Sequence, residues 1–231
     1  MPFINIGMAE ALEKIYARLK GVSEANLKEE AYKVIKEIYL TNKNILFQGD
    51  GYSEDWKKEA GKRGLENYPT YLDALKAAKD SNAYHIFEKV GIFSQKEIES
   101  LLYVGFEDVI NFFQAQLEIL NNMIHQEILP SAMREIKGIK DYLSFMENEN
   151  LSQRARRINE GVGELLAYSE KISSLIEKSE EISDIEEKAI FLQEETSQVA
   201  NEVRKISDSL EKLISRENYS MPNYVDMLKT L

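Results

Sequence analysis

Cysteine is absent from the 231-residue chain. Disulfides, thiolate nucleophiles and thiolate metal sites are therefore excluded. Histidine occurs only twice, as His85 and His125. The residues three positions before them are Asn82 and Asn122, so the Glu-x-x-His pairs of di-iron bundles are missing, and no second histidine stands four positions away as in zinc proteases. We therefore expect no metal site and interpret both histidines as packed or solvent-facing.

Long hydrophobic runs are also absent. No apolar stretch approaches the roughly 20 residues that cross a bilayer. The N-terminus, Met1 to Gly7, lacks the basic residues that begin a signal peptide. The formal net charge of -11 argues against nucleic acid or an anionic membrane as a partner. Because 43% of the residues are hydrophobic and 30% are charged, we expect a folded cytoplasmic protein.

Strand-like alternation is missing too, and helical spacing takes its place. A long helix is expected to begin at a capping box formed by Ser94 and Glu97 and to kink at Pro130. Beyond residue 150, apolar residues recur every three or four positions on both sides of a further capping box at Ser183 and Glu186. We predict an all-α helical bundle with a long Pro-kinked helix and a C-terminal antiparallel long-helix hairpin.

Composition divides the chain into two regions. Residues 1–93 contain short helices, a Gly-rich loop and a helix that carries Trp56, the only tryptophan. Residues 94–231 contain the long helices and a tail that begins at Tyr219 and loses the helical period. We expect the two regions to form one compact unit, with the tail laid on the surface of the bundle.

The stretch from residue 44 to residue 65 has the most distinctive residue pattern in the chain. Two glycines bracket Asp50, which predicts a tight turn, and Ser53 is the expected N-cap of a short helix that ends at Gly64. Neither the phosphate-binding P-loop nor the EF-hand pattern fits. Binding of a small anion at the helix N-terminus is the alternative to turn geometry. We identify no catalytic, cofactor-binding or metal-binding residue.

Three stretches together resemble the type III glutamine synthetases. They are Leu46 to Leu65, with Gly-Asp-Gly-Tyr-Ser and Arg-Gly-Leu segments; Ile86 to Ser100; and Val203 to Leu228, with Tyr-Ser-Met-Pro-Asn-Tyr near its end. The resemblance is colinear and spans nearly the whole chain. In that family the first motif lies beyond the catalytic domain, so the resemblance implies a C-terminal helical region. Tyr219 and Ser220 depart from the family, which usually has Trp-Pro at these positions.

The resemblance implies a role without catalysis and without a cofactor. In the family, ATP-dependent joining of glutamate and ammonia takes place in a β-rich domain whose glutamates hold divalent metals. We therefore expect no synthetase activity from this chain alone, and expect it to serve assembly through self-association or contact with a glutamine synthetase catalytic domain or subunit. The candidate interface residues are Tyr52, Trp56, Arg63, Tyr219 and Tyr224. For Tyr52 and Trp56, packing inside the core is the alternative.

Two other functions stay open at this point. A free-standing helical interaction or regulatory module should carry polar residues on its surface and remain monodisperse. A synthetase fragment should instead expose an apolar patch larger than a few hundred Å² and self-associate. Residual enzymatic activity through the Gly-rich loop would require measurable binding of ATP or glutamate.

Overall fold

The computed structural model describes residues 2–80, 84–222 and 227–228, and these residues form helices without any β-strand. The all-α prediction is confirmed. The α-helices are α1 (Pro2–Leu19), α2 (Glu24–Thr41), α3 (Glu54–Lys62), α4 (Tyr71–Asp80), α5 (Tyr84–Lys89), α6 (Gln95–Met123), α7 (Leu129–Leu143), α8 (Glu149–Glu181) and α9 (Ile185–Glu211). A 3₁₀ turn, Lys43–Ile45, follows α2, and a π-helical turn, Ile124–Ile128, joins α6 to α7.

The chain divides into two compact units, Met1–Tyr103 and Val104–Leu231, which we call unit 1 and unit 2. Local signals define the helix ends of unit 1. The Ser94 hydroxyl and backbone N–H both donate to Glu97 Oε2 at 2.7 Å, which confirms the predicted capping box. Gly64 and Gly91 have φ of 69° and 70°, a left-handed conformation that allows the chain to leave α3 and α5.

Unit 1 buries few of its apolar side chains. Among its described side chains, the buried apolar ones are Ile6, Val34, Ala60, Leu72, Leu75 and Ile98. Helices α1 and α2 each carry an apolar stripe, and a large part of each stripe is exposed, including Leu12, Tyr16 and Ile35. An apolar stripe is typical of a helix face that packs against another element. These faces therefore contrast with the apolar stripes of α8 and α9, which are largely buried.

The core of unit 2 lies between α8 and α9, which pack as the predicted antiparallel hairpin. Gly161, near the start of α8, lies against Leu210 at the end of α9. The predicted Ser183–Glu186 capping box is wrong by one residue, because the Asp184 carboxylate accepts the hydrogen bond that caps α9, from the Glu187 N–H at 2.9 Å. Aspartate and serine are comparable N-caps, and the carboxylate interacts favourably with the helix dipole.

The expected interruption at Pro130 takes the form of the π-helical turn directly before it. Proline removes one backbone donor, and a π turn re-routes the hydrogen bonds of the preceding residues. The Ser131 hydroxyl adds a further hydrogen bond here, to the Glu127 carbonyl at 2.7 Å. The helix that follows ends at Leu143, and Asn148 caps α8 by accepting from the Leu151 N–H at 3.1 Å.

Candidate interaction site

A tight turn precedes α3, as the two glycines predicted. The Asp50 carboxylate accepts a hydrogen bond from the Tyr52 N–H at 2.9 Å, and the Ser53 hydroxyl donates to the Asp50 carbonyl at 2.8 Å. The same hydroxyl accepts from the Trp56 N–H at 3.2 Å, which confirms Ser53 as the N-cap. We call residues 46–53 the Gly-Asp-Gly loop. Its backbone is thus fixed by its own polar side chains.

Arg63, at the other end of α3, holds the beginning of this loop. Its Nη1 donates to the carbonyl of Leu46 at 2.8 Å and to that of Asn44 at 3.3 Å. Its Nε donates to Glu59 Oε1 at 2.7 Å, a hydrogen bond that lowers the pKa of the Glu59 carboxyl. One guanidinium group therefore joins the loop to α3, in the way its planar fork of donors allows.

Two aromatic rings lie beneath the same guanidinium. The centroids of Phe47 and Trp56 are 4.3 Å apart, and the Arg63 guanidinium carbon is 5.8 Å and 5.9 Å from them. Gly49 completes the cluster, because a Cβ on it would lie 2.7 Å from the Phe47 ring. A side chain at position 49 would displace that ring. These contacts give a structural reason for the distinctive residue pattern of this stretch.

Tyr52 directly precedes the N-cap Ser53 and is 96% exposed. The structure therefore brings Trp56 and Arg63 together and leaves Tyr52 outside their cluster. Trp56 is half-buried against Phe47 and Arg63, whereas Tyr52 makes no part of this cluster. The part that these three residues play in an interface stays a prediction.

The two remaining candidates belong to the C-terminal tail. Tyr219 lies in unit 2, with its hydroxyl 3.4 Å from Ser207 Oγ on α9, and burial raises the pKa of its phenol. Ser220 next to it donates its N–H to Ser131 Oγ at 3.3 Å. The tail thus lies on the bundle surface over residues 219–222, as expected. Tyr224 lies outside the described residues.

Sequence reasoning missed a buried carboxylate, Glu135 of α7, which is 6% exposed. Its Oε1 accepts from Arg154 Nη2 at 2.6 Å, and its Oε2 accepts from the Ser215 hydroxyl at 2.6 Å, the Ser215 N–H at 3.0 Å and Asn218 Nδ2 at 2.8 Å. Burial works to raise the pKa of Glu135, but these hydrogen bonds and the Arg154 charge together hold it below its usual value. This carboxylate fastens the segment that follows α9 to α7.

The histidine interpretation can be tested at one of the two positions. His125 is exposed on the π-helical turn, and its Nε2 is 2.7 Å from Ser169 Oγ. Because that hydroxyl donates to Asn121 Oδ1 at 2.7 Å, it accepts from the imidazole N–H. His85 lies on α5, and its side chain lies outside the described part of the chain. Within the described residues, no three His, Asp or Glu side chains form a group suited to a metal, and no helix is both long and apolar enough to span a bilayer.

These features define a helical protein with a surface loop that is fastened by hydrogen bonds and aromatic contacts. The family model described as "Glutamine synthetase C-terminal domain" matches residues 30–146, a range that includes the whole Gly-Asp-Gly loop and Arg63. The chain belongs to this family. The resemblance to a C-terminal region of type III glutamine synthetase is thereby confirmed.

Curated relatives agree over nearly the full chain. A type-3 glutamine synthetase of Dictyostelium discoideum is 26% identical over 97% of this chain and 32% of its own length. Glutamine synthetases of Butyrivibrio fibrisolvens and Bacteroides fragilis are 25% and 26% identical, each over 98% of this chain and 33% of their own length. The chain spans about a third of the length of the curated relatives it matches.

Proposed function

We propose that this chain is a non-catalytic assembly element of a type III glutamine synthetase. It buries apolar surface of unit 1 against another polypeptide, either a second copy of itself or a synthetase catalytic domain or subunit. The match to a C-terminal domain, over about a third of the relatives' length, supports a role that needs no catalytic residues of its own.

The observation that carries the proposal is the exposed apolar surface of unit 1. On α1 it recurs at every fourth residue, at Ile4, Met8, Leu12 and Tyr16. On α2 it comprises Leu27, Tyr32, Ile35, Ile38, Tyr39 and Leu40. Soluble monomers rarely expose contiguous apolar patches larger than a few hundred Å², and larger ones mark interaction surfaces.

The kind of exposed residue also supports an interface. Tyrosine is prominent on this surface, at Tyr16, Tyr32, Tyr39, Tyr52, Tyr68 and Tyr71. Tyrosine offers a large apolar face with one polar atom, and it is enriched at protein–protein interfaces and among their energetic hot spots. A surface adapted to remain in water would carry charged residues at such positions instead.

Light scattering coupled to size-exclusion chromatography tests the proposal. The purified chain is run over a wide range of concentrations, alone and mixed with intact Bacteroides fragilis glutamine synthetase. We expect a mass above the 26.6 kDa of one chain, rising with concentration, or co-elution with the synthetase. A monodisperse 26.6 kDa species in both experiments would contradict the proposal and favour a free-standing interaction module.

A matched pair of variants locates the surface. Ile35→Ser removes an exposed apolar side chain from α2, and Lys36→Ser removes the exposed charged side chain next to it. We expect only Ile35→Ser to weaken association. The ligand-binding alternative is tested separately by calorimetry with ATP and with glutamate, where we expect no heat of binding.

A further inference from the structure

The Gly-Asp-Gly loop is held by more interactions than a surface connection needs. Loops of this kind are normally among the more mobile parts of a protein, because few contacts restrain them. Here the Leu46 carbonyl, the Phe47 ring and the Asp50 carboxylate are all engaged. Tyr52, near the end of the loop, is nevertheless 96% exposed. The restraints therefore fix the position of a side chain that itself lies outside the restraining cluster.

We infer that Arg63 is a positioning residue, which fixes the Gly-Asp-Gly loop so that Tyr52 is presented rigidly to the assembly partner. This inference rests on the proposed function. Arg63 is suited to the task because a single group contacts the backbone before the loop, stacks on Phe47 and Trp56, and is oriented by Glu59. The side chain of Arg63 is only 28% exposed, so its role is exerted through the loop.

Rigid presentation has a physical benefit for binding. Binding lowers the conformational entropy of every side chain and loop that becomes immobilised at the interface. A loop that is already fixed before binding avoids this entropic cost. Tyrosine has only two side-chain torsions, so it adds contact area at a low entropic cost. Loosening the loop should therefore weaken association even though Tyr52 itself is unchanged.

The partner is indicated by the length of the relatives and not by charge. Asp50, Glu54 and Asp55 are exposed in the segment that carries Tyr52, but Lys57 and Lys58 are exposed there too, and Lys57 donates to Glu54 at 2.5 Å. Tyr52 fits an apolar slot with a polar group at its end. The chain spans only about a third of the length of its synthetase relatives. The remaining two thirds of such a protein offer a surface that this chain lacks, so we assign the site to a synthetase polypeptide.

The experiment compares the wild type with Arg63→Lys, Arg63→Met and a control, Lys62→Met, which removes the neighbouring exposed cation of α3. Hydrogen exchange is measured at the N–H groups of Leu46, Tyr52 and Ser53, which are hydrogen-bonded in the loop. Trp56 is the only tryptophan, so its fluorescence reports the same cluster. Urea unfolding followed by far-UV circular dichroism measures global stability, and binding to intact Bacteroides fragilis glutamine synthetase measures association.

Both Arg63 variants should raise exchange in the loop about tenfold, as expected for losing one hydrogen bond from a charged donor. Lysine should fail to rescue, because an ammonium cannot contact the backbone and stack on both rings as a planar guanidinium does. Association should weaken by a similar factor, while the urea midpoint stays close to that of Lys62→Met. Tyr52→Ala should weaken association without changing loop exchange.

Three results would overturn the inference. Unchanged exchange in both Arg63 variants would mean that Arg63 does not hold the loop. Faster exchange with unchanged association would mean that the loop is rigid for structural reasons alone. Loss of self-association on Tyr52→Ala, with synthetase binding intact, would assign the site to a second copy. If the wild type associates with nothing, the proposed function fails, and the inferred presentation of Tyr52 to a partner fails with it, while the exchange data still decide whether Arg63 fixes the loop.

Discussion

Arg154 of α8 donates to the buried Glu135 of α7 at 2.6 Å, and its Nε donates to the Leu213 carbonyl at 2.8 Å. This pair joins two helices to the segment that follows α9. The carboxylate is fully used, because its other oxygen accepts three hydrogen bonds from Ser215 and Asn218. A buried charge with all of its partners is stable, but it becomes costly as soon as one partner is removed.

The first prediction concerns Glu135→Gln. The amide turns a donor toward groups that are themselves donors, so we expect a loss of about 1–3 kcal/mol in the free energy of unfolding at pH 7. The pKa of Glu135 is held below its unfolded value of 4.5, so its stabilising contribution is present above about pH 4.5 and is lost as pH falls through the folded pKa. Urea unfolding between pH 7 and pH 3 should therefore show the gap between wild type and variant closing in acid.

The control for this experiment is Glu164→Gln, which changes an exposed carboxylate on α8. Surface substitutions of this kind usually alter stability by less than about 0.5 kcal/mol. A Glu135→Gln variant that is as stable as this control at pH 7 would contradict the structural role of the carboxylate.

The second prediction compares two glycines of α8. Gly161 faces α9, and a Cβ there would lie 2.8 Å from Leu210 Cδ2, whereas nothing lies within 4 Å of a Cβ on Gly163. Alanine is favoured over glycine in a helix by about 1 kcal/mol. At Gly163 that gain should appear as increased stability. At Gly161, overpacking against the fully buried Leu210 costs about 1–3 kcal/mol and should outweigh it.

Thermal unfolding of the two single variants checks the sign of each effect. The origin of the Gly161 effect is checked by shortening its neighbour. Leu210→Val should be less destabilising in the Gly161→Ala background than in the wild type, since the smaller side chain makes room for the new methyl group. Equal costs in the two backgrounds would show that the glycine is not required by this contact.

The sequence predicted those features whose signals are local. The Ser94–Glu97 box needs only four residues, and the 3–4 spacing of α8 and α9 is sufficient to predict their packing. Glu135 could not be predicted, because Ser215 and Asn218 lie 80 and 83 positions away and periodicity does not identify partners at that distance. The α7 stripe illustrates the same limit.

Helix α7 carries apolar residues at Met133, Ile136 and Leu143, the helical spacing of a buried stripe, yet Met133 is exposed and Glu135 is buried. A methionine and a glutamate exchange their expected environments because the segment after α9 supplies polar partners on that side. The candidate site shows the same difference between local features, which the sequence predicts, and long-range contacts, which it does not. The loop turn and the Ser53 cap are local and were predicted, whereas the hydrogen bond from Arg63 to the Leu46 carbonyl joins residues 17 positions apart.

The third prediction is that Thr196→Val stabilises the protein. Thr196 is 1% exposed on α9, and its hydroxyl has no hydrogen-bond partner among the described residues. Burying an unpaired hydroxyl costs about 1–3 kcal/mol, and valine has nearly the same shape without it. We expect a higher urea midpoint by an amount equivalent to about 1 kcal/mol.

Thr196→Ser provides the comparison, because it keeps the hydroxyl and removes the methyl group. It should lower stability by about 1 kcal/mol through lost apolar burial. If valine is the more destabilising of the two, the hydroxyl makes a bond that matters for stability, and the prediction is wrong.

The last prediction concerns Tyr219 and the docking of the tail. Burial raises the pKa of its phenol above the usual value of 10.0, so the neutral form is favoured in the folded protein. The stability that this provides is fully present below about pH 10 and is lost as pH rises through the folded pKa. Tyr219→Phe should be nearly neutral at pH 7, because the 3.4 Å contact with Ser207 is long for a hydroxyl pair, and it should make the protein more resistant to alkali than the wild type.

Comparison of Tyr219→Ala with Tyr219→Phe distinguishes the contribution of the ring from that of the hydroxyl. Tyr219→Ala removes the aromatic surface as well and should lower the free energy of unfolding by about 3 kcal/mol. Spectrophotometric titration of the wild type and of Tyr219→Phe measures the ionisation of Tyr219 directly. Its contribution is the part of the absorbance change that is present in the wild type and missing in the variant. If that lost component titrates at the usual tyrosine value of 10.0, then Tyr219 is solvated and the tail is not held against α9. Alkaline unfolding that is the same in wild type and Tyr219→Phe would lead to the same conclusion by a thermodynamic route.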